Sequence, residues 1–152
     1  MNLYEHLKAH LHGKVVILGI GNTLRGDDAA GSLLAQRLHG KVPYTVYDAG
    51  TSPENYLGKI IRDKPDNIVI IDAADFAGKP GEFDLAEDIE TTNLFSTHDA
   101  SIALTINYLK NNLKVDIITL IVQPGSLKFG TDLTPSVAKT LEDLEKWFRE
   151  SA

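Results

Sequence analysis

The sequence predicts an α/β protein, a three-layer α/β/α sandwich around a mostly parallel, twisted sheet of about five strands. Three observations predict it. Continuous apolar runs at 15–20, 67–71 and 117–122 have the length of strands and lack the polar alternation of a sheet with one wet face, as strands buried on both faces do. Stretches of helical composition separate these runs, so strand and helix alternate along the chain. Acidic residues and glycines gather just past strand-like segments, at 26–28, 48–50 and 72–75, where an open parallel sheet collects its ligands.

Leu3, Leu7 and Leu11 recur every four residues before Gly13, which predicts a short amphipathic helix with a glycine stop. The first strand follows at 15–20. Asp27 and Asp28 precede the small and apolar residues 29–35, which suit a helix packed on the sheet, and acidic residues at a helix start favour its positive dipole end. A second strand is expected at 44–47, leading to Asp48. Ser52 as cap and Pro53 at the first position open a helix reaching about Asp63. The third strand, 67–71, ends at Asp72. Residues 78–81 are turn chemistry, and 82–85 alternate as a half-exposed edge strand does. A loop through Ser96, Thr97 and His98 leads to a helix over 100–110. The last buried strand, 116–122, is broken by Gln123-Pro124-Gly125, and Thr134-Pro135 starts a final amphipathic helix ending near Arg149. With no repeat, low-complexity tract or second hydrophobic unit in view, residues 1–152 read as one domain, with 1–13 as an added N-terminal helix.

Composition narrows the function. A chain of 152 residues buries roughly 70% of its unfolded surface and needs no covalent staples. The absence of cysteine excludes disulfides, thiolate metal sites, iron–sulfur clusters and a cysteine nucleophile. A formal net charge of −6 argues against the basic face that nucleic acid requires. No stretch approaches the ~20 apolar residues of a membrane span, and the first residues lack the pattern of a signal peptide. The expected protein is soluble and cytoplasmic, with a protein or small-molecule partner and a monomer as the working assumption.

Gly19-Ile20-Gly21 sits where a dinucleotide fingerprint would begin, but the third glycine position holds Leu24, and Asp48 lies farther on than the usual ribose acid. Asp27 and Asp28 would also repel a pyrophosphate at the helix start. One aspartate suffices as a helix cap, so the doublet leaves a carboxylate over, near the end of the first strand. Asp72 follows the third strand, which in such sheets commonly neighbours the first. His98 precedes a helix, whose positive end disfavours imidazolium and leaves the neutral ring that binds metal. Together Asp28, Asp72 and His98 make a candidate divalent-metal site with open coordination positions. Asp48 and Asp75 are secondary candidates, for substrate contact or support of a ligand. His6, His10 and His12 form a rival group. No carboxylate motif accompanies them in the sequence, and they read as surface residues.

These residues also fit a known pattern. The segment from Gly19 through Asn22, Arg25 and Gly26 to Asp28 resembles the opening motif of the hydrogenase maturation proteases. Residues 48–55, 70–75, Thr97-His98 and Gln123-Pro124 resemble further motifs in the same order. An Asp at position 28, rather than Glu, resembles the hydrogenase 3 branch. Ala29 departs from the glycine usual after the acidic pair.

The resemblance implies an endopeptidase that cuts a C-terminal extension from the precursor of the [NiFe]-hydrogenase large subunit after nickel insertion. It implies that Asp28, Asp72 and His98 bind nickel supplied with the substrate, or another divalent metal in its place. Asp28 and Asp72 are then the catalytic candidates. Either metal-bound water attacks the peptide, or the metal anchors the scissile segment while a carboxylate assists proton transfer. The anchor is the preferred reading. The alternatives are a Rossmann-like nucleotide- or adenosylmethionine-binding protein and a non-catalytic metal-handling chaperone.

Overall fold

A computed structural model describes residues 2–87, 95–96 and 99–151. Among the described residues six strands and five helices follow in the order α1 (Leu3–Lys8), β1 (Val15–Ile20), α2 (Ala30–Leu38), β2 (Thr45–Gly50), α3 (Leu57–Asp63), β3 (Asn67–Asp75), β4 (Phe83–Ala86), β5 (Phe95–Ser96), α4 (Asp99–Asn112), β6 (Asp116–Val122) and α5 (Pro135–Glu150). Short 3-10 turns at Gly26–Ala29 and Pro53–Tyr56 lead into α2 and α3.

The main sheet runs β2-β1-β3-β6-β4. All of its pairs are parallel except β4 against β6. The chain steps outward from β1 to β2 and then returns to β3 on the other side of β1, so the order reverses between β1 and β3. Loops diverge there and leave a crevice at the carboxyl ends.

Alternation along the strands builds two apolar layers. Val15 and Ile17 of β1 and Val69, Ile71 and Ala73 of β3 pack with Leu34 of α2 and with Val137, Leu141 and Phe148 of α5. Val16, Leu18 and Ile20, with Ile68 and Ile70, pack with Ile60 of α3 and with Ile102 and Leu109 of α4. Each fully buried Leu, Ile or Phe contributes roughly 1.5–3 kcal/mol. Among the described residues, no helix is long and apolar enough to cross a membrane.

Several expectations need correction. The first helix stops at Lys8, so Leu11 lies outside it. The amides of His10 and Leu11 each bond three residues back, a tightening that ends the helix. Gly13 adopts a φ of +66° beyond this turn, where the chain reverses into β1 and the Lys14 amide reaches the Asp66 carboxylate at 2.7 Å. Ser52 makes no side-chain cap, and Pro53 opens a 3-10 turn rather than the α-helix. The second strand is longer than expected and reaches Gly50. The third continues to Asp75, because β6 pairs with it as far as Ala73 and β5 pairs with Ala74 and Asp75. Asp72 is therefore inside β3 and not beyond its end.

The small residues after Asp28 explain how α2 meets the sheet. A Cβ on Gly31 would lie 2.1 Å from the Ile71 carbonyl oxygen and 2.3 Å from that of Ile20. A Cβ on Gly19 would lie 2.2 Å from the Gly31 oxygen and 2.5 Å from the Ala35 Cβ. Backbone thus touches backbone where α2 crosses the ends of β1 and β3. Gly31→Ala should force the helix off the strand ends and cost about 1–3 kcal/mol in urea unfolding. Gly58→Ala, also in a helix but with nothing within 4 Å of its added Cβ, should leave stability unchanged or raise it by up to ~1 kcal/mol.

Candidate active site at the carboxyl edge of the sheet

The loop leaving β1 folds onto itself. The Gly21 amide donates to the Gly50 carbonyl (2.9 Å), the Asn22 amide to Asp28 (3.0 Å), the Arg25 amide to Asn22 (3.2 Å) and the Asp28 amide to Arg25 (3.0 Å). The Leu24 amide donates to the Asn22 side chain at 2.9 Å. These amides are spent inside the protein, and a pyrophosphate would find none of them pointing outward. Gly21 serves the loop itself, since a Cβ there would lie 2.6 Å from the Asp28 carbonyl oxygen.

This folding sets Asp28 in the 3-10 turn that packs against β3. Its residue is 1% exposed, and Asp72 is 0% exposed. Asp72 follows Ile68 and Ile70 at even spacing, so it shares the sheet face covered by α3 and α4. Both carboxylates thus occupy the crevice end of the central strands, on elements in mutual contact. His98 lies outside the described residues. Its nearest described neighbours are Ser96, in register with Ala74 of β3, and Asp99, the first residue of α4.

The acidic doublet divides its work. Asp27 is 0% exposed and does not cap its own helix. One carboxylate oxygen accepts the amides of Gly125 (2.7 Å) and Ser126 (3.1 Å) and the Thr134 hydroxyl (2.8 Å), and the other accepts the Thr134 amide (2.8 Å). The Asp27 amide donates to the Ser126 carbonyl at 2.9 Å. Asp27 therefore ties the turn carrying Asp28 to the loop after β6 and to the start of α5.

Asp48 accepts the Ser32 hydroxyl (2.6 Å) and the Gln36 side-chain amide (2.8 Å), along with the Gly50 amide (3.1 Å). It fastens α2 to β2 and so supports the helix that follows Asp28. Asp75 accepts the Ala77 amide at 2.9 Å and the Gln123 side-chain amide at 3.1 Å, which hold its carboxyl below the usual range. It stays ionised at neutral pH and is a poor proton donor.

Gln123 takes a role the sequence reading missed. Its side-chain oxygen accepts the Phe76 and Gly78 amides at 2.9 and 3.1 Å, pinning the chain where it leaves β3. The available signal was a polar residue directly after a buried strand. The histidines also need a correction. The side-chain amide of Asn67 donates to the His12 carbonyl at 3.0 Å, whereas His6 and His10 do have a carboxylate beside them, Glu87.

Comparisons with known proteins agree with this architecture. A profile of the hydrogenase maturation protease family (HycI) matches residues 29–150. The hydrogenase 3 maturation protease of Escherichia coli K12 is 34% identical over 143 residues, covering 87% of this chain and 89% of that protein. The crystal structure of the [NiFe] hydrogenase maturation protease HycI from Thermococcus kodakarensis superposes with a TM-score of 0.84 at 32% identity, covering 96% of this chain and 97% of the other. The solution structure of the endopeptidase HycI from Escherichia coli gives 0.77 at 27% identity, covering 91% and 90%. With a profile spanning most of its length and a relative this similar along nearly all of both sequences, the chain belongs to the hydrogenase maturation protease family and is a peptidase.

Proposed function

We propose that this peptidase removes the C-terminal extension from the precursor of a [NiFe]-hydrogenase large subunit after nickel insertion, and that Asp28, Asp72 and His98 recognise the nickel as part of that substrate. The observation that carries the reading is the pair of buried carboxylates, Asp28 and Asp72, on packed elements at the point where the strand order reverses. Carboxylate oxygens on packed elements at such a crevice are ligands of the kind a divalent cation takes. Two carboxylates and a neutral imidazole offer two negative charges and a mixed oxygen and nitrogen set, which suits nickel and also zinc, manganese or iron. His98 lies two positions after Ser96 in the sequence, and Ser96 pairs beside Ala74.

In this reading nickel anchors the precursor and fixes the scissile peptide in the crevice. Its chemical contribution is a fixed positive charge. Asp28 or Asp72 accepts a proton from the attacking water as the new C–O bond forms. The peptide C–N bond breaks, and the proton passes to the leaving amine. The net charge of −6 suits a protein partner better than a nucleic acid, and the expected compartment is the cytoplasm.

Asp28→Asn, Asp72→Asn and His98→Ala should each keep cooperative unfolding and lose at least about 100-fold in cleavage, read as product mass from a nickel-loaded precursor. Asp27→Ala should instead lose about 3 kcal/mol or more of stability, because four donors lose one buried carboxylate. Normal processing by all three site variants would end the reading, and binding of precursor with no released peptide would favour a metal-handling chaperone.

Enzyme stripped of metal by chelation should still cut nickel-loaded precursor and leave nickel-free precursor intact. Complete loss of cutting while nickel stays in the precursor would overturn the anchor role.

A further inference from the structure

We propose that His6, His10 and Glu87 form a second metal site, distinct from the carboxyl-edge site, that takes a divalent cation of the zinc, nickel or cobalt class and clamps α1 to the end of β4. Their donor atoms all lie within 4.8 Å of one another. The His6 Nε2 is 2.7 Å from the Glu87 Oε1, and the His10 Nε2 is 3.4 Å from the same oxygen. The two rings are 5.7 Å apart between centroids. Ligands on a tetrahedral zinc, at about 2.0–2.1 Å from the metal, are about 3.3 Å from each other. A cation therefore needs the carboxylate to retreat by a fraction of an ångström, and the Glu87 side chain is 59% exposed and able to move.

The donors are placed by packed structure. Leu7 is fully buried between the two histidines in sequence. Tyr4 packs edge-on against Phe83 at 5.3 Å and at a tilt against Trp147 at 5.2 Å. Phe83 begins β4 and Glu87 follows its last residue, so α1 is held at one end of the strand by aromatic contact and meets Glu87 at the other. Lys110 and Asp116 line the adjoining cleft with opposite charges.

The site lies at the opposite edge of the sheet from Asp72. Antiparallel β4 places Ala86 beside Thr119, and the cleft beyond Glu87 reaches Asp116 and Ile117, where β6 begins. Asp72 is in register with Ile121, four residues away along β6, or about 13 Å. The two sites can therefore be tested separately.

Zinc chloride titrated into the wild-type protein should shift the ring resonances of His6 and His10 together in NMR spectra and raise the melting temperature. In an Asp28→Ala, Asp72→Ala background, calorimetry should still show one equivalent of zinc. Adding His10→Ala should weaken that binding at least ten-fold, and Glu87→Gln should weaken it by less. X-ray absorption on this zinc adduct should show two imidazole nitrogens. Unmoved His6 and His10 resonances in wild-type protein at millimolar zinc, or zinc binding undiminished by His10→Ala in a folded variant, would overturn the proposal. Either result leaves the precursor-processing reading intact.

Discussion

The site rests on one close approach. Gly31 brings the backbone of α2 against the Ile20 and Ile71 carbonyls, and Gly19 accepts the same helix from the other side. A side chain at either position would occupy space the neighbouring backbone already fills, so the helix would ride higher over the sheet. The distance between the turn carrying Asp28 and the strand carrying Asp72 is set by this contact. Of the glycines that suggest a nucleotide loop in the sequence, Gly19 thus serves helix–strand packing and Gly21 the folding of the loop, and the amides a phosphate would need are bonded inside the protein.

A second constraint acts from the far side. Asp27 spends both carboxylate oxygens on the loop after β6 and on Thr134, so the last strand and last helix help position a turn about a hundred residues earlier. Hydrogen bonds to an ionised group are stronger than neutral ones, and these are sheltered from water. Asp48 braces α2 against β2 in the same way. Adjacent residues of one type therefore differ in role because their neighbours differ: Asp27 faces a row of donors, while Asp28 sits in the turn lying against β3.

Burial is what makes this fold legible in its sequence. The runs at β1, β3 and β6 are apolar on both faces, a composition that leaves few other folded states open, and their parallel order followed from the helices between them. Asp28 and Asp72 drew attention because strand ends concentrate function in such sheets, and the structure buries both. Boundaries failed where a distant partner decides them. Nothing local in Ala73-Ala74-Asp75 states that β5 and β6 will extend β3, and nothing near Leu11 states that the chain must turn before β1. Asp27, Gln123 and Glu87 were misjudged or missed for the same reason, since their partners lie some 50 to 110 positions away in the sequence.

The two edges of the sheet illustrate different ways of holding titratable groups. At the carboxyl edge, Asp28 and Asp72 are withdrawn from water by the fold itself, which opposes folding unless neighbouring dipoles or a cation compensate. At the amino edge, His6, His10 and Glu87 remain partly in water, already meet through hydrogen bonds, and cost the fold little. A cation there would add to the packing of α1, whereas Asp28 and Asp72 are already part of the buried interior. The outer cluster is free to shift its side chains without disturbing the sheet, whereas the buried aspartates are fixed with the turn and the strand that carry them.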